Sequence, residues 1–249
     1  MSNKLPVAVV LSGCGVYDGT EITEAVSLLI ALSQAGVPYQ CFAPVREQYH
    51  VVDHVKGLPA NEARHIFIES ARIARGNVLP LAGFNLHDYS ALAFPGGFGA
   101  AKNLTTFIDD GADAQLYADI RAVVLPMLEA GKPLLALCAA PLVLGIAARD
   151  AGLTGCKLTF GDDAEGAAMI AALKSWGQTH VVTRRTDVCV DSDHHLVTAP
   201  AYMYSDATPA EVFACTKMAV QALCVMLQHE ALDELGTETL AVASSLMGS

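Results

Sequence analysis

The stretch Leu134-Leu-Ala-Leu-Cys138-Ala-Ala-Pro141 decides the fold. Leu134 to Leu137 are apolar without alternation, the pattern of a strand covered on both faces. At Cys138 this strand turns into a helix expected over residues 140–151. The small residues beside the cysteine permit the sharp, strained backbone that lifts a nucleophile out of a sheet.

Working outward, residues 6–11 form a second continuous apolar run, ending in Ser12-Gly13-Cys14-Gly15. Asp18-Gly-Thr-Glu21 then offers an N-cap with an acid three residues on, and Ile22, Ala25, Val26, Leu29, Ile30 and Leu32 keep helical spacing up to Gly36. The alternation continues with strands over 39–42, 91–94 and 133–137 and helices over 61–75 and 115–130. It predicts an α/β fold with a doubly wound, mostly parallel sheet and helices on both faces. A short strand at 157–160, a helix over 164–175 and a segment at 180–183 follow. Residues 188–190 and 196–198, joined by Asp191-Ser-Asp-His-His195, read as a β-hairpin appended to the sheet. Thr208-Pro-Ala-Glu211 caps a closing helix to about residue 233. The reading is one domain over residues 1–235 with a frayed tail at 236–249.

Composition supports this and excludes several function classes. The 249 residues are 53% hydrophobic and 16% charged, enough for a two-sided core. A formal net charge of -11 repels phosphate backbones and anionic membrane surfaces, so neither nucleic acid nor membrane is expected as a partner. The uncharged stretch at residues 133–148, with Pro141 and Gly145 inside it, is shorter than the roughly 20 residues that span a bilayer. The seven cysteines form no C-x-x-C pair and lie in apolar surroundings, as thiols of a reducing compartment do. With no signal-like start, the expected localisation is cytoplasmic.

Ligands of such folds bind beyond the carboxyl ends of the strands. Residues 12–24, 95–103, 138–141 and 199–202 should meet there, bringing Cys14, Gly96, Asn103 and Tyr202 to a substrate pocket. A buried, inert thiol is the competing reading of Cys138; its elbow favours a nucleophile, with a helix N-terminus promoting the thiolate. In Pro95-Gly-Gly-Phe-Gly99 the backbone N–H of Gly97, with that of Ala139, can hold a developing oxyanion. Glu21 reads as a cap. Glu24 stands inside the apolar stripe of the first helix, where it either exchanges protons or complements the helix dipole. His194-His195 lacks a third ligand at zinc spacing, so no metal is expected, and no dinucleotide or phosphate-loop fingerprint calls for a cofactor.

Three segments carry a resemblance: Leu11-Ser-Gly-Cys-Gly-Val-Tyr-Asp-Gly-Thr-Glu21, Phe94-Pro-Gly-Gly-Phe-Gly-Ala-Ala-Lys-Asn-Leu104 and Thr198-Ala-Pro-Ala-Tyr-Met203. Over residues 6–230 the chain resembles the ElbB-type proteins. They are a branch of the flavodoxin-like, class I glutamine amidotransferase-like superfamily that includes PfpI-like proteases and Parkinson-associated deglycase-like proteins. The resemblance matches Cys138 to the elbow nucleophile, Glu24 to the acid of the first helix and Gly97 to the oxyanion-hole glycine. Two departures stand out. Ala139 replaces the histidine that often follows the nucleophile, and no His-x-Glu follows near the C-terminus. The resemblance implies a homodimer, a name linked to isoprenoid biosynthesis, and a cofactor-free, glutathione-independent glyoxalase, a lyase acting on methylglyoxal or glyoxal. The alternatives are a cysteine-based redox-sensing or protein-interaction module and, behind it, an amidase or amidotransferase.

Overall fold

The structure is a computed structural model that describes residues 5–228, with the last helix continuing beyond them. The expected tail at 236–249 lies outside the described residues. In chain order the elements are β1 (Val7–Val10), α1 (Ile22–Gln34), β2 (Tyr39–Ala43), β3 (Val51–Asp53), β4 (Leu58–Ala60), α2 (Ile66–Ile73), β5 (Val78–Pro80) and β6 (Ala91–Phe94). There follow α3 (Phe107–Asp110), α4 (Ala118–Glu129), β7 (Leu134–Leu137), α5 (Pro141–Asp150), β8 (Lys157–Leu158), α6 (Ala167–Ser175), β9 (Thr179–His180), β10 (Cys189–Asp191), β11 (Leu196–Ala199) and α7 (Pro209–Met247).

Seven strands form the central sheet in the order β10-β11-β7-β6-β1-β2-β5. Six run parallel, and only the edge strand β10 is antiparallel, to β11. The expected hairpin therefore exists, with β11 a full member of the sheet beside β7 and β10 its appended edge. Every residue of β1, β6, β7 and β11 is buried, which is why these strands carry no polar alternation. Helices α1, α2 and α7 pack as one layer, and α4, α5 and α6 as the other. The chain winds from β1 outward through β2 to β5, then returns to place β6 on the other side of β1. The crevice between β1 and β6 is thus the switch point where such sheets bind ligands.

Several boundaries differ from the sequence reading. The helix expected over 61–75 shrinks to α2, because residues 64–66 are extended against 46–48, with Gln48 N–H donating to Arg64 C=O at 2.8 Å and Ile66 N–H to Arg46 C=O at 2.9 Å, while residues 58–60 pair with 51–53 as a hairpin. The segment at 180–183 contributes only β9, paired with β8 in a separate two-stranded sheet. Asp18 does not cap α1. It accepts the Val52 N–H at 2.8 Å, and Glu21 takes the cap by accepting the Glu24 N–H at 2.7 Å. In α7, residues 209–228 are apolar enough by length and composition to cross a membrane. Burial of Val212, Cys215, Ala219, Val220 and Leu223 against the core accounts for that apolarity.

The loops after β1 and β6 lock together through backbone hydrogen bonds. Phe98 N–H donates to Val16 C=O at 2.8 Å, Gly99 N–H to Gly19 C=O at 2.8 Å, and Glu21 N–H to Gly96 C=O at 3.0 Å. Only glycine fits this contact: a Cβ on Gly99 would sit 2.4 Å from Ser12 Oγ and 2.5 Å from the Gly19 carbonyl carbon. Gly99→Ala is therefore expected to lower unfolding free energy by about 2 kcal/mol or more, the scale of forced overpacking. Gly83→Ala, where nothing lies within 4 Å, is expected to stay within about 0.5 kcal/mol. Urea denaturation of both variants measures the difference, and equal stability would refute the interlock.

Candidate active site

Cys138 occupies the turn between β7 and α5 with φ +55°, a left-handed conformation that costs a non-glycine residue roughly 1–3 kcal/mol. Its N–H is held by Ala199 C=O at 2.9 Å, and Ala140 N–H closes the turn onto Leu137 C=O at 2.9 Å. These two bonds fix the strained elbow. They set the side chain beside the loop after β6, where the Gly97 N–H, together with the N–H of the next residue Ala139, works to lower the thiol's pKa.

Glu24 reaches the same point from α1. The residue is fully buried. One carboxyl oxygen accepts Gly96 N–H at 2.8 Å and the other accepts Tyr202 N–H at 3.2 Å. The Cys138 thiol is also within hydrogen-bonding contact of the carboxyl. Gly96 stands between the two groups, since a Cβ there would lie 2.5 Å from Cys138 Cβ and 2.7 Å from Glu24 Oε2. Any side chain at residue 96 would wedge the pair apart.

Burial dominates the electrostatics. It pushes the Glu24 carboxyl up to about 8, with the nearby Glu21 charge adding to the rise and the two backbone N–H bonds opposing it. Burial also drives the Cys138 thiol well above its ordinary range, and the Glu24 charge drives it further, against the lowering pull of the Gly97 and Ala139 amides. Burial thus works against the thiolate expected from the helix terminus and favours the protonated thiol. Helix α5 starts only at Pro141, and a few amide dipoles do not offset full desolvation.

Cys138 opens on a cavity of about 530 Å³ lined by residues of five segments. Of the groups singled out in the sequence, Cys138, Gly97, Ala139 and Tyr202 line it. Cys14, Gly96 and Asn103 do not. Cys14 lies among Glu69, Arg72, Asp18 and Arg64. Asn103 is a buried brace, its amide donating to Ser12 C=O and Asp18 C=O, each at 2.8 Å, while its oxygen accepts Tyr49 N–H at 2.9 Å. Gly96 serves the site through its N–H and its missing side chain. Sequence reading missed Glu165, Met169 and Ser205: Met169 reaches the cavity from the first turn of α6, Glu165 from just before it and Ser205 from the segment after β11. No histidine lines it among the described residues.

Far from this cavity, Cys156 supplies the third group that spacing did not reveal near His194. Cys156, Asp191 and His194 each bring one ligand atom to within 4.8 Å of the others. The Asp191 carboxylate is already engaged by Lys157 N–H at 2.7 Å, Nδ1 of His194 at 2.9 Å, and the N–H groups of Asp193 and His194. It organises the turn at the end of β11 opposite Cys138.

Burial of Glu24 makes a linkage prediction. Its carboxyl is neutral in both folded and unfolded states below its ordinary value of 4.5. Above that, the unfolded chain ionises while the folded one stays protonated, so this contribution to stability is lost as pH rises to about 8. The stability of Glu24→Gln relative to wild type is expected to rise by roughly 2–4 kcal/mol from pH 5 to pH 8.5. Its offset at pH 5 is a loss of about 1–3 kcal/mol, because Gln turns an NH2 toward one of the two N–H donors. Thermal melts of both proteins across this range test the slope, and a flat difference would exclude the raised carboxyl.

No protein-family model matches the chain. It is 43% identical over 208 residues to the human glutamine amidotransferase-like class 1 domain-containing protein 3, mitochondrial, covering 81% of this chain and 76% of that protein. It superimposes with a TM-score of 0.82 on the crystal structure of an isoprenoid biosynthesis protein with amidotransferase-like domain from Ehrlichia chaffeensis, at 32% identity over 90% of this chain and 99% of the other. Drosophila melanogaster DJ-1beta shares the fold at a TM-score of 0.50 and 16% identity, covering 93% of this chain and 98% of that one. The chain belongs to the ElbB-type, class I glutamine amidotransferase-like family that the human and Ehrlichia proteins represent.

Proposed function

We propose that this protein is a glutathione-independent, cofactor-free glyoxalase that converts 2-oxoaldehydes to 2-hydroxy acids at Cys138. The observation that carries the reading is the pairing of a buried, proton-holding carboxyl with a strained thiol at the floor of a cavity, with two backbone N–H groups aimed at the sulfur. An amidase needs a base that protonates a leaving amine, commonly histidine. Isomerisation of a 2-oxoaldehyde needs only a nucleophile and one group that shuttles a proton.

The steps balance without an external oxidant. The Cys138 sulfur bonds to the aldehyde carbon, its proton passes to Glu24 and from there to the aldehyde oxygen, giving a hemithioacetal. The Gly97 and Ala139 N–H groups hold that oxygen while it carries charge. Glu24 then removes the carbon-bound hydrogen as a proton, and the electron pair forms a C=C bond and pushes charge onto the ketone oxygen, giving an enediolate. The hemithioacetal hydroxyl proton passes to that oxygen, the same carboxyl delivers its proton to the neighbouring carbon, and the first carbon becomes the C=O of a 2-hydroxy thioester. Water opens it to the 2-hydroxy acid and restores the thiol. A carboxyl held up to about 8 is a stronger base than a solvated one, and it is close enough to neutrality to cycle.

Lactate formation from methylglyoxal without glutathione is the direct test. Cys138→Ala is expected to fall to the uncatalysed background. Glu24→Gln is expected to lose about 100-fold or more in kcat, the usual share of general acid–base catalysis. Wild-type kcat/KM should rise with pH and level off above about 8, as Glu24 gives up its proton and becomes the base, and that limb should vanish in Glu24→Gln. Equal turnover by wild type and Cys138→Ala would end the proposal.

A further inference from the structure

We infer that the Cys138 cavity selects a 2-oxoaldehyde bearing a bulky apolar or aromatic substituent and no negative charge, in preference to methylglyoxal. This rests on the glyoxalase reading and concerns the part of the substrate that does not react. A volume of about 530 Å³ falls within the roughly 300–1,000 Å³ that enclose ligands of drug size. Methylglyoxal would leave most of that space to water, and the thioester intermediate with it.

The lining describes what fills the remainder. Val16, Tyr17, Phe98, Met169, Tyr202 and Met203 surround the space above the thiol. Phe98 and Tyr17 are 41% and 39% exposed, with Lys102 against one ring and the His54 ring against the other, so each ring still presents part of its surface to the cavity. Rings offer a stacking face, and unbranched methionines adapt to an irregular apolar outline.

Charge narrows the class further. Glu21 and Glu165 line the cavity, and no Lys, Arg or His does so among the described residues. Lys102, in the loop after β6 and against the lining residue Phe98, has its ammonium engaged. It donates to Tyr17 C=O at 2.6 Å, lies 3.0 Å from Nε2 of His50, and covers the Phe98 ring at 5.0 Å. A substrate carboxylate or phosphate would face carboxyl groups with no cation to pair with, which a desolvated site penalises strongly. The same absence disfavours glutamine, whose α-carboxylate asks for a cation.

Phenylglyoxal fits this description, and its conversion to mandelate balances in the same way. The aldehyde carbon is oxidised to the carboxyl, the ketone is reduced to the alcohol, and one water is consumed. The experiment compares kcat/KM for phenylglyoxal, methylglyoxal and 4-carboxyphenylglyoxal by chromatographic quantitation of each 2-hydroxy acid, with Cys138→Ala in parallel. Wild type is expected to favour phenylglyoxal over methylglyoxal by roughly 10-fold or more, the scale of apolar pocket discrimination, and to disfavour the carboxylated analogue by a similar factor. The phenylglyoxal-to-methylglyoxal ratio should fall at least about 5-fold in Phe98→Ala and in Met169→Ala, and Glu165→Gln should narrow the gap between the charged and uncharged aryl substrates. A preference for methylglyoxal, or a ratio unmoved by both cavity variants, overturns the inference and leaves the glyoxalase reading standing. Failure of wild type to exceed Cys138→Ala on every aldehyde overturns both.

Discussion

Everything at the site depends on a carboxyl that water cannot reach. Glu24 leaves α1 pointing inward, at a position where helical spacing would otherwise demand an apolar residue, and is met there by N–H groups from the loops after β6 and β11. An ionised carboxylate in that place would lose its hydration for two neutral donors and a thiol, so the proton stays on well into the neutral range. One side chain thus ties together three separate elements and at the same time stores the proton that the chemistry moves. The structural and chemical roles cannot be separated, because the bonds that hold the carboxyl are the ones that set its acidity.

The elbow is the second constraint, and it needs the first. Cys138 is held in left-handed backbone by its neighbours on β7 and β11, and such strain persists only where the surroundings over-determine it. The surroundings are unusually bare of side chains. Gly96 allows the thiol and the carboxyl to meet, and Gly97 and Gly99 let the loop after β6 lie directly on the backbone of the loop after β1. Backbone amides are therefore the natural donors toward the sulfur, since no side chain fits between. Amide donors stabilise developing negative charge without carrying a proton of their own to give away, which leaves the proton traffic to Glu24.

Family membership places this arrangement without specifying its use. In this chain Ala139 follows Cys138 and no histidine lines the cavity among the described residues, so in the proposed glyoxalase reading Glu24 is the group that moves protons. Acidic and aromatic groups around a large apolar space separate the part of the site that reacts from the part that recognises.

The sequence by itself determined the parallel sheet, the elbow and the candidate pair. Uniformly apolar strands such as 134–137 point to two-sided burial, and the glycines after β1 and β6 mark where backbones approach. It also placed Gly97 and Ala139 together, since both follow strands that the alternation puts side by side. Tertiary structure alone decided the rest, because those properties arise from neighbours far apart in the chain. The protonation of Cys138 and Glu24 follows from desolvation and mutual charge, which no local pattern records. Asn103 and Cys14 sit on segments that reach the crevice, yet their side chains turn elsewhere, to the braces among Ser12, Asp18 and Tyr49 and to the charged cluster around Glu69. Glu165 and Met169 come from a stretch with weak periodicity, and only the folding of that stretch over the end of the sheet makes them walls of the cavity.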